Sequence, residues 1–391
     1  MNSMNRYVSS LVKSIPPSGI RKFFDLVTQT EGVISLGVGE PDFVTPWHIR
    51  EACFYSLEKG FTMYTSNSGL LELREEIGGY EKRRIGVEYS PAQEILVTVG
   101  VSEAIDLAFR SLLEPGDEVL IPEPSYVSYA PGSILAYGKA VPVPTYDADE
   151  YRLRPDILEK YITPKSKLLV LTYPNNPTGA VMSEQDLKSL VDIIEKNDLI
   201  VISDEIYSEL TYSGKHVSIA SFPGMKDRTV LMNGFSKAFA MTGWRIGYAC
   251  GNQDIIGAMT KIHQYTVMCA PIMAQKAAIE ALRHGEAEMR NMVDNYNYRR
   301  KIMLSGLKRI GLKCFEPRGA FYCFPSIESS GLSSEEFGER LLMEERVAVV
   351  PGTAFGANGE GFIRCCYACS MKNIEEALER MEKFLIRNRK G

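Results

Sequence analysis

The sequence predicts an α/β protein: a mainly parallel seven-stranded sheet with helices on both faces, accompanied by a smaller α+β domain. Three observations lead there. Between about Glu94 and Cys250 short β-branched runs alternate with helical patterns, as strands joined by crossover helices do. The chain has 391 residues, beyond the size at which one core stops growing, so two domains are expected. Past Asn252 the alternation gives way to a long helical stretch and then to a mixture of short strands and helices.

The seven strands are predicted at residues 95–99, 118–121, 140–143, 167–171, 199–203, 229–232 and 246–249, where apolar and β-branched residues cluster. Helices are predicted between them, among them 102–113 and 184–196. Ser183 with Asp186 three positions on resembles a capping box for the latter. From 252 to about 310 the pattern is helical, with a break near His284-Gly285. Strands at 321–324, 347–350 and 362–366 and helices at 334–344 and 373–386 complete the smaller unit. The expected division is an N-terminal arm with part of the small domain (1–45), a large domain (46–285) and a C-terminal small domain (286–391). Residues 1–45 are rich in Pro and Gly and cannot form a core alone, so they are expected to lie against the smaller unit or a partner subunit.

Composition narrows the class. Hydrophobic residues make up 45%, charged residues 24%, and the net charge is −5, the profile of an ordinary globular protein. No basic tract suggests nucleic acid, and the terminal run Arg387-Asn388-Arg389-Lys390 reads as a solvated helix end. No run approaches the roughly 18 apolar residues of a membrane span, and the first thirty residues lack the apolar core of a signal peptide. A cytoplasmic protein is expected. The eight cysteines are scattered rather than spaced as a framework. Cys366 and Cys369 form a C-x-x-C pattern, but with no second pair and no histidine nearby they read as free thiols, and no metal is expected.

Four islands carry chemistry, each at or near a predicted strand. In the run 233–247 an apolar strand ends in small residues and then presents the hydroxyl of Ser236, the amine of Lys237 and, eight positions on, the guanidinium of Arg245. A lysine is ordinarily a solvated charge. One whose surroundings lower its proton affinity becomes a nucleophile able to form a Schiff base with an aldehyde. The second island, 173–179, is a turn-forming cluster that could set the amide of Asn176 at a strand tip. Alone it marks only a turn. The third puts Asp204 at the end of an apolar strand with Tyr207 three positions later, although a lone aspartate there is often a helix cap. In the fourth, Arg364 interrupts an apolar strand. A buried guanidinium needs an anion, supplied by a structural ion pair or, in bidentate fashion, by a substrate carboxylate.

Asn176, Asp204, Tyr207, Lys237, Arg245 and Arg364, in this order and at these spacings, resemble the class I and II aminotransferases, fold-type I pyridoxal-phosphate enzymes, in the aspartate/aromatic aminotransferase-like branch. The resemblance covers nearly the whole chain. It takes in Leu36 to Asp42, Tyr64 before Gly69-Leu70, and Glu123-Pro124-Ser125-Tyr126.

The resemblance implies pyridoxal 5'-phosphate as cofactor, bound by Lys237 as a Schiff base, with Lys237 later acting as acid and base. Asp204 would pair with the pyridine nitrogen, and Asn176 and Tyr207 would donate to the phenolic oxygen. Arg245, Ser236 and the helix start at Val101 and Ser102 would hold the phosphate. Tyr126 would stack on the ring, and Tyr64 would reach the phosphate of a second subunit in a homodimer. Arg364 with Gly39 and Asn176 would fix the substrate carboxylate.

Some features depart from familiar relatives. Gly234 stands where many carry serine, and Tyr126 where aspartate enzymes stack tryptophan. Ser102 stands where some dicarboxylate-using members carry lysine, which weakens aspartate as the expected donor. The resemblance implies a ping-pong transaminase acting on an L-amino acid and a 2-oxo acid, 2-oxoglutarate by analogy. A carbon–sulfur β-lyase, or a non-catalytic cofactor-binding relative, would use the same residues.

Overall fold

The computed structural model describes residues 3–16 and 30–388. Part of the N-terminal arm (17–29) and the last residues of the basic C-terminal run (389–391) lie outside the described residues. In chain order the strands are β1 (Ile34–Ser35), β2 (Ile95–Thr98), β3 (Glu118–Glu123), β4 (Lys139–Pro144), β5 (Ser166–Thr172), β6 (Ile200–Asp204), β7 (Thr229–Gly234), β8 (Gly247–Cys250), β9 (Tyr322–Cys323), β10 (Val347–Ala348), β11 (Val350–Pro351) and β12 (Ile363–Cys366).

Strands β2 to β8 form one seven-stranded sheet in the order β2-β8-β7-β6-β5-β3-β4. Neighbours are parallel except at β8, which runs against both β2 and β7. Each predicted strand of the sheet is present within a few residues of its expected limits.

Side-chain alternation explains why both faces need cover. Leu168 and Val170 pack with Ile202, Val230 and Met232 against Ala104, Ala108, Ile256 and Met259 of the helices Gly100–Leu112 and Gln253–Thr266. Leu169, Leu171 and Val201 face the other way, against Leu187, Leu190 and Ile194 of the helix Glu184–Lys196. That helix opens with the expected capping box: Ser183 Oγ accepts from the Asp186 N–H, and the Asp186 carboxylate accepts from the Ser183 N–H.

Around the smaller sheet, antiparallel and ordered β11-β12-β9, a separate core gathers Phe321, Phe337, Leu341, Ile363, Leu378 and Phe384. The helix Met371–Asn388 supplies two of these side chains.

Two expectations need correction. The run 347–350 is not one strand: Val347–Ala348 pairs in parallel with β1, whereas Val350–Pro351 pairs with β12. A uniformly apolar run cannot display such a change of partner. The helical stretch 252–310 breaks twice, near His284-Gly285 as expected and also after Thr266, before the helix Ile272–His284. Pro271, at the N-cap of that helix, is the signal, because proline starts a helix more readily than it continues one.

Candidate active site

The chemically interesting residues meet along one edge of the large sheet. The helix Gly100–Leu112 follows β2, Asn176 follows β5, Asp204 ends β6, and Lys237 follows β7. All four strands point the same way, so these positions crowd at the carboxyl ends, where open α/β sheets bind ligands. Because β8 is antiparallel, Arg245 just before it comes to that edge too. Register then sets the details: Asp204 pairs with Thr172 on one side and Met232 on the other, and Gly234 faces Gly247.

Asp204 is 5% exposed. Its Oδ2 accepts from the Tyr129 hydroxyl at 2.8 Å and its Oδ1 from the Ile206 N–H at 3.2 Å. Burial pushes its carboxyl up to about 6, against the pull of those two bonds. A cation brought to this carboxylate would therefore be strongly favoured.

Lys237 donates through Nζ to the Gly39 carbonyl at 2.8 Å and lies 5.7 Å from the ring centres of Tyr207 and Phe321. Burial lowers its amine to about 8, with Cys366 and Glu40 opposing that shift and Arg364 and Arg245 adding to it. A substantial fraction of free amine is thus present just above neutrality, the condition a nucleophilic lysine needs.

Arg364 is 3% exposed in β12. Its Nη1 donates to Asn176 Oδ1 at 2.9 Å and its Nη2 to the Gly37 carbonyl at 2.6 Å. The guanidinium lies 4.5 Å from the Tyr322 ring centre and 4.9 Å from that of Phe355. Its buried Nε has no hydrogen-bond partner among the described residues. An anion would complete such an arrangement. Since the Asn176 amide oxygen is engaged by Arg364, its NH2 group remains as the donor. Tyr207, also buried, meets Tyr322 hydroxyl to hydroxyl at 2.8 Å.

An anion cradle lies at the start of the helix Gly100–Leu112. No side chain caps this N-terminus, so the N–H groups of Gly100, Val101 and Ser102 are placed to meet a ligand. Arg245, in the left-handed region at φ +53°, lays its guanidinium against Gly100, where a Cβ would come within 2.5 Å of Nη2. Gly247 in turn packs on the Gly100 backbone, its own Cβ position 2.8 Å from Val101 N. Ser102 is exposed and Ser236 partly so. Tyr126 stands partly exposed, edge-on to Tyr129 with ring centres 5.5 Å apart. Tyr64, by contrast, is not folded in beside the others. It is 78% exposed, on the segment between the helices Trp47–Glu58 and Leu71–Ile85.

Sequence reasoning missed Tyr129, Tyr322, Gly37 and Phe355, whose partners come from distant segments. It also missed a buried ion cluster behind Asp204. There Arg84 bridges Glu81 at 2.6 Å and Glu205 at 2.8 Å, and His216 meets Glu205 at 2.7 Å. Although burial opposes it, His216 and Arg84 hold the Glu205 carboxyl well below the usual range. Among the described residues no group of three or more His, Cys, Asp or Glu side chains could hold a metal ion, and no helix is long and apolar enough to cross a membrane.

A reactive amine, a buried acid, a guanidinium with a spare donor and an anion cradle on one sheet edge suit a cofactor with an aldehyde, a ring nitrogen and a phosphate. Residues 31–381 match the family of class I and II aminotransferases. The chain is 52% identical over 382 residues to the putative aminotransferase YugH of Bacillus subtilis, across 98% of this chain and 99% of that protein. It is 46% identical to aromatic-amino-acid aminotransferase 2 of Thermococcus litoralis, across 97% and 98%. Among solved structures, the aromatic aminotransferase of Pyrococcus horikoshii superposes with a TM-score of 0.90 at 47% identity, covering 93% of this chain and 99% of that one. The aspartate aminotransferase of Thermus thermophilus with maleate gives 0.92 at 38% identity, covering 96% and 99%. The chain belongs to the class I and II aminotransferases, a family dependent on pyridoxal phosphate.

Proposed function

We propose that this aminotransferase uses pyridoxal 5'-phosphate to move the amino group of an L-amino acid to a 2-oxo acid, with 2-oxoglutarate the expected acceptor. The observation that carries this reading is the convergence of the Lys237 amine, buried Asp204 and the partnerless Nε of Arg364 in one site. Pyridoxal phosphate, when bound, supplies an aldehyde that condenses with amines and a ring that withdraws electrons from the neighbouring carbon.

The chain's own groups do the rest. Asp204 keeps a negative charge against the pyridine nitrogen and holds a proton there. The Asn176 NH2 and the Tyr207 hydroxyl donate to the phenolic oxygen. Helix N–H groups at Gly100 to Ser102, with Ser236 and Arg245, neutralise the phosphate. Tyr126 covers the ring. Arg364 grips the substrate carboxylate with help from Gly39 and Asn176, which leaves the Cα hydrogen within reach of Lys237. With burial lowering its proton affinity, Lys237 can take that proton and return it elsewhere. Donor and acceptor use the same site in turn, so the kinetics are ping-pong.

The same reading includes a cytoplasmic homodimer in which Tyr64 serves the phosphate site of a second copy of the chain. It also includes the division at 1–45, 46–285 and 286–391. The pairing of Ile34–Ser35 with Val347–Ala348 supports grouping part of the arm with the small domain.

Protein reconstituted with the cofactor should be yellow, and borohydride should attach the cofactor covalently to wild type but not to Lys237→Ala. Adding an amino donor should bleach the visible band, and a 2-oxo acid should restore it. A colourless wild type would sink the proposal. Release of pyruvate and thiol from cystathionine without a 2-oxo acid would redirect it to β-elimination.

A further inference from the structure

Tyr322 lies between the groups that handle protons and the group that grips carboxylates. Its ring is under the Arg364 guanidinium at 4.5 Å. Its hydroxyl is 2.8 Å from the Tyr207 hydroxyl and 3.4 Å from the Gly39 carbonyl, the acceptor that also takes the Lys237 N–H at 2.8 Å. Glycine suits position 39 for that reason, since a Cβ there would sit 2.5 Å from the Tyr322 oxygen. Tyr322 is 1% exposed, so these contacts are shielded from bulk water and correspondingly strong.

A phenol has one hydrogen to give. If Tyr207 gives its hydrogen to the cofactor's phenolic oxygen, the 2.8 Å contact between the two tyrosines can be bridged only by the hydrogen of Tyr322. A hydroxyl that accepts a hydrogen bond becomes a stronger donor. Stronger donation from Tyr207 draws charge from the phenolic oxygen, which then holds less tightly the proton on the nearby nitrogen of Lys237. The other charged or titratable groups that act on the two tyrosines are Arg364 and Cys366 from β12 and Tyr126, and those that act on Lys237 are Cys366 and Arg364, Glu40 from the segment after β1, and Arg245 just before β8. None of them bonds to the Tyr207 oxygen among the hydrogen bonds of the described residues, so Tyr322 has a distinct role there.

We propose that Tyr322 is a positioning residue with two separable parts: its hydroxyl strengthens Tyr207 as a donor, and its ring holds the Arg364 guanidinium in the plane that receives the substrate carboxylate. This rests on the cofactor reading above. It concerns the proton balance and the carboxylate grip, which two substitutions can separate.

In Tyr322→Phe the ring stays and the hydroxyl goes. The pH midpoint of the visible absorbance change in cofactor-loaded protein should rise by about half to one pH unit, the size of one hydrogen bond, while KM for the amino donor stays within about twofold. In Tyr322→Leu the ring is lost as well, and KM should rise roughly 3- to 10-fold on top of the same midpoint shift. An unchanged or lower midpoint in the phenylalanine variant would overturn the hydroxyl's role even if the protein folds and turns over. An unchanged KM in the leucine variant would overturn the ring's role. A wild type with no visible titration would instead remove the cofactor reading on which the inference rests.

Discussion

Asp204 is a carboxyl whose burial works against its charge. Burial raises its carboxyl from 3.8 to about 6. In protein stripped of cofactor, a buried carboxyl with a raised value contributes stability below about pH 4 that is lost as the pH rises through about 6. The shift corresponds to about 3 kcal/mol. Urea titrations of stripped Asp204→Asn at about pH 4 and about pH 8 should show the variant gaining about that much on wild type across the window. Parallel curves would show that the carboxyl does not feel its burial. On the proposed function the cofactor's ring nitrogen would offer this carboxylate a cation, and the same variant should bind the cofactor at least about tenfold more weakly. At this scale the sequence was informative where a charged or reactive group conflicts with apolar surroundings, as at Lys237, Asp204 and Arg364. It was silent at Tyr129 and Tyr322. An aromatic in an apolar stretch reads as core, and the hydroxyl partners lie 75 and 115 positions away.

At the level of elements, the site depends on how closely the helix Gly100–Leu112 approaches β8. A Cβ on Gly247 would lie 2.8 Å from both the Gly100 carbonyl carbon and Val101 N, closer than backbone atoms allow. Gly247→Ala should therefore push the helix start and its N–H groups away from Arg245. The expected result is a folded protein whose affinity for the cofactor, followed by fluorescence titration, falls at least about tenfold. Unchanged affinity would mean that the phosphate is held elsewhere. Strand positions were legible because apolar β-branched runs are local. The split of 347–350 between β10 and β11 was not, since each half finds its partner only in the folded chain. The break before Ile272–His284 was legible in Pro271 but masked by strong helical patterns on either side.

At the scale of the whole molecule, several large apolar side chains among the described residues are exposed. Trp47, Phe54, Tyr55, Met63 and Tyr64 are 56 to 78% exposed, and Tyr265 is 83% exposed. Asn67 ties the two segments together by donating to the Met268 carbonyl at 2.8 Å. In the proposed homodimer these side chains would meet a second copy of the chain. Sedimentation should give twice the chain mass of 43.7 kDa. Tyr64→Ala should weaken cofactor binding about tenfold while the dimer persists. A monomer with full cofactor affinity would contradict both parts of that expectation. The chain's order of apolar runs and breaks determined by itself the sheet, its flanking helices and the placing of Lys237, Asp204 and Arg364 in or beside strands, because these signals are local in the chain. Only the tertiary structure decided which oxygen each tyrosine meets, that Gly100 and Gly247 must touch, and that Arg364 is left with a free donor. Those depend on distances between segments far apart in sequence, which burial makes energetically decisive.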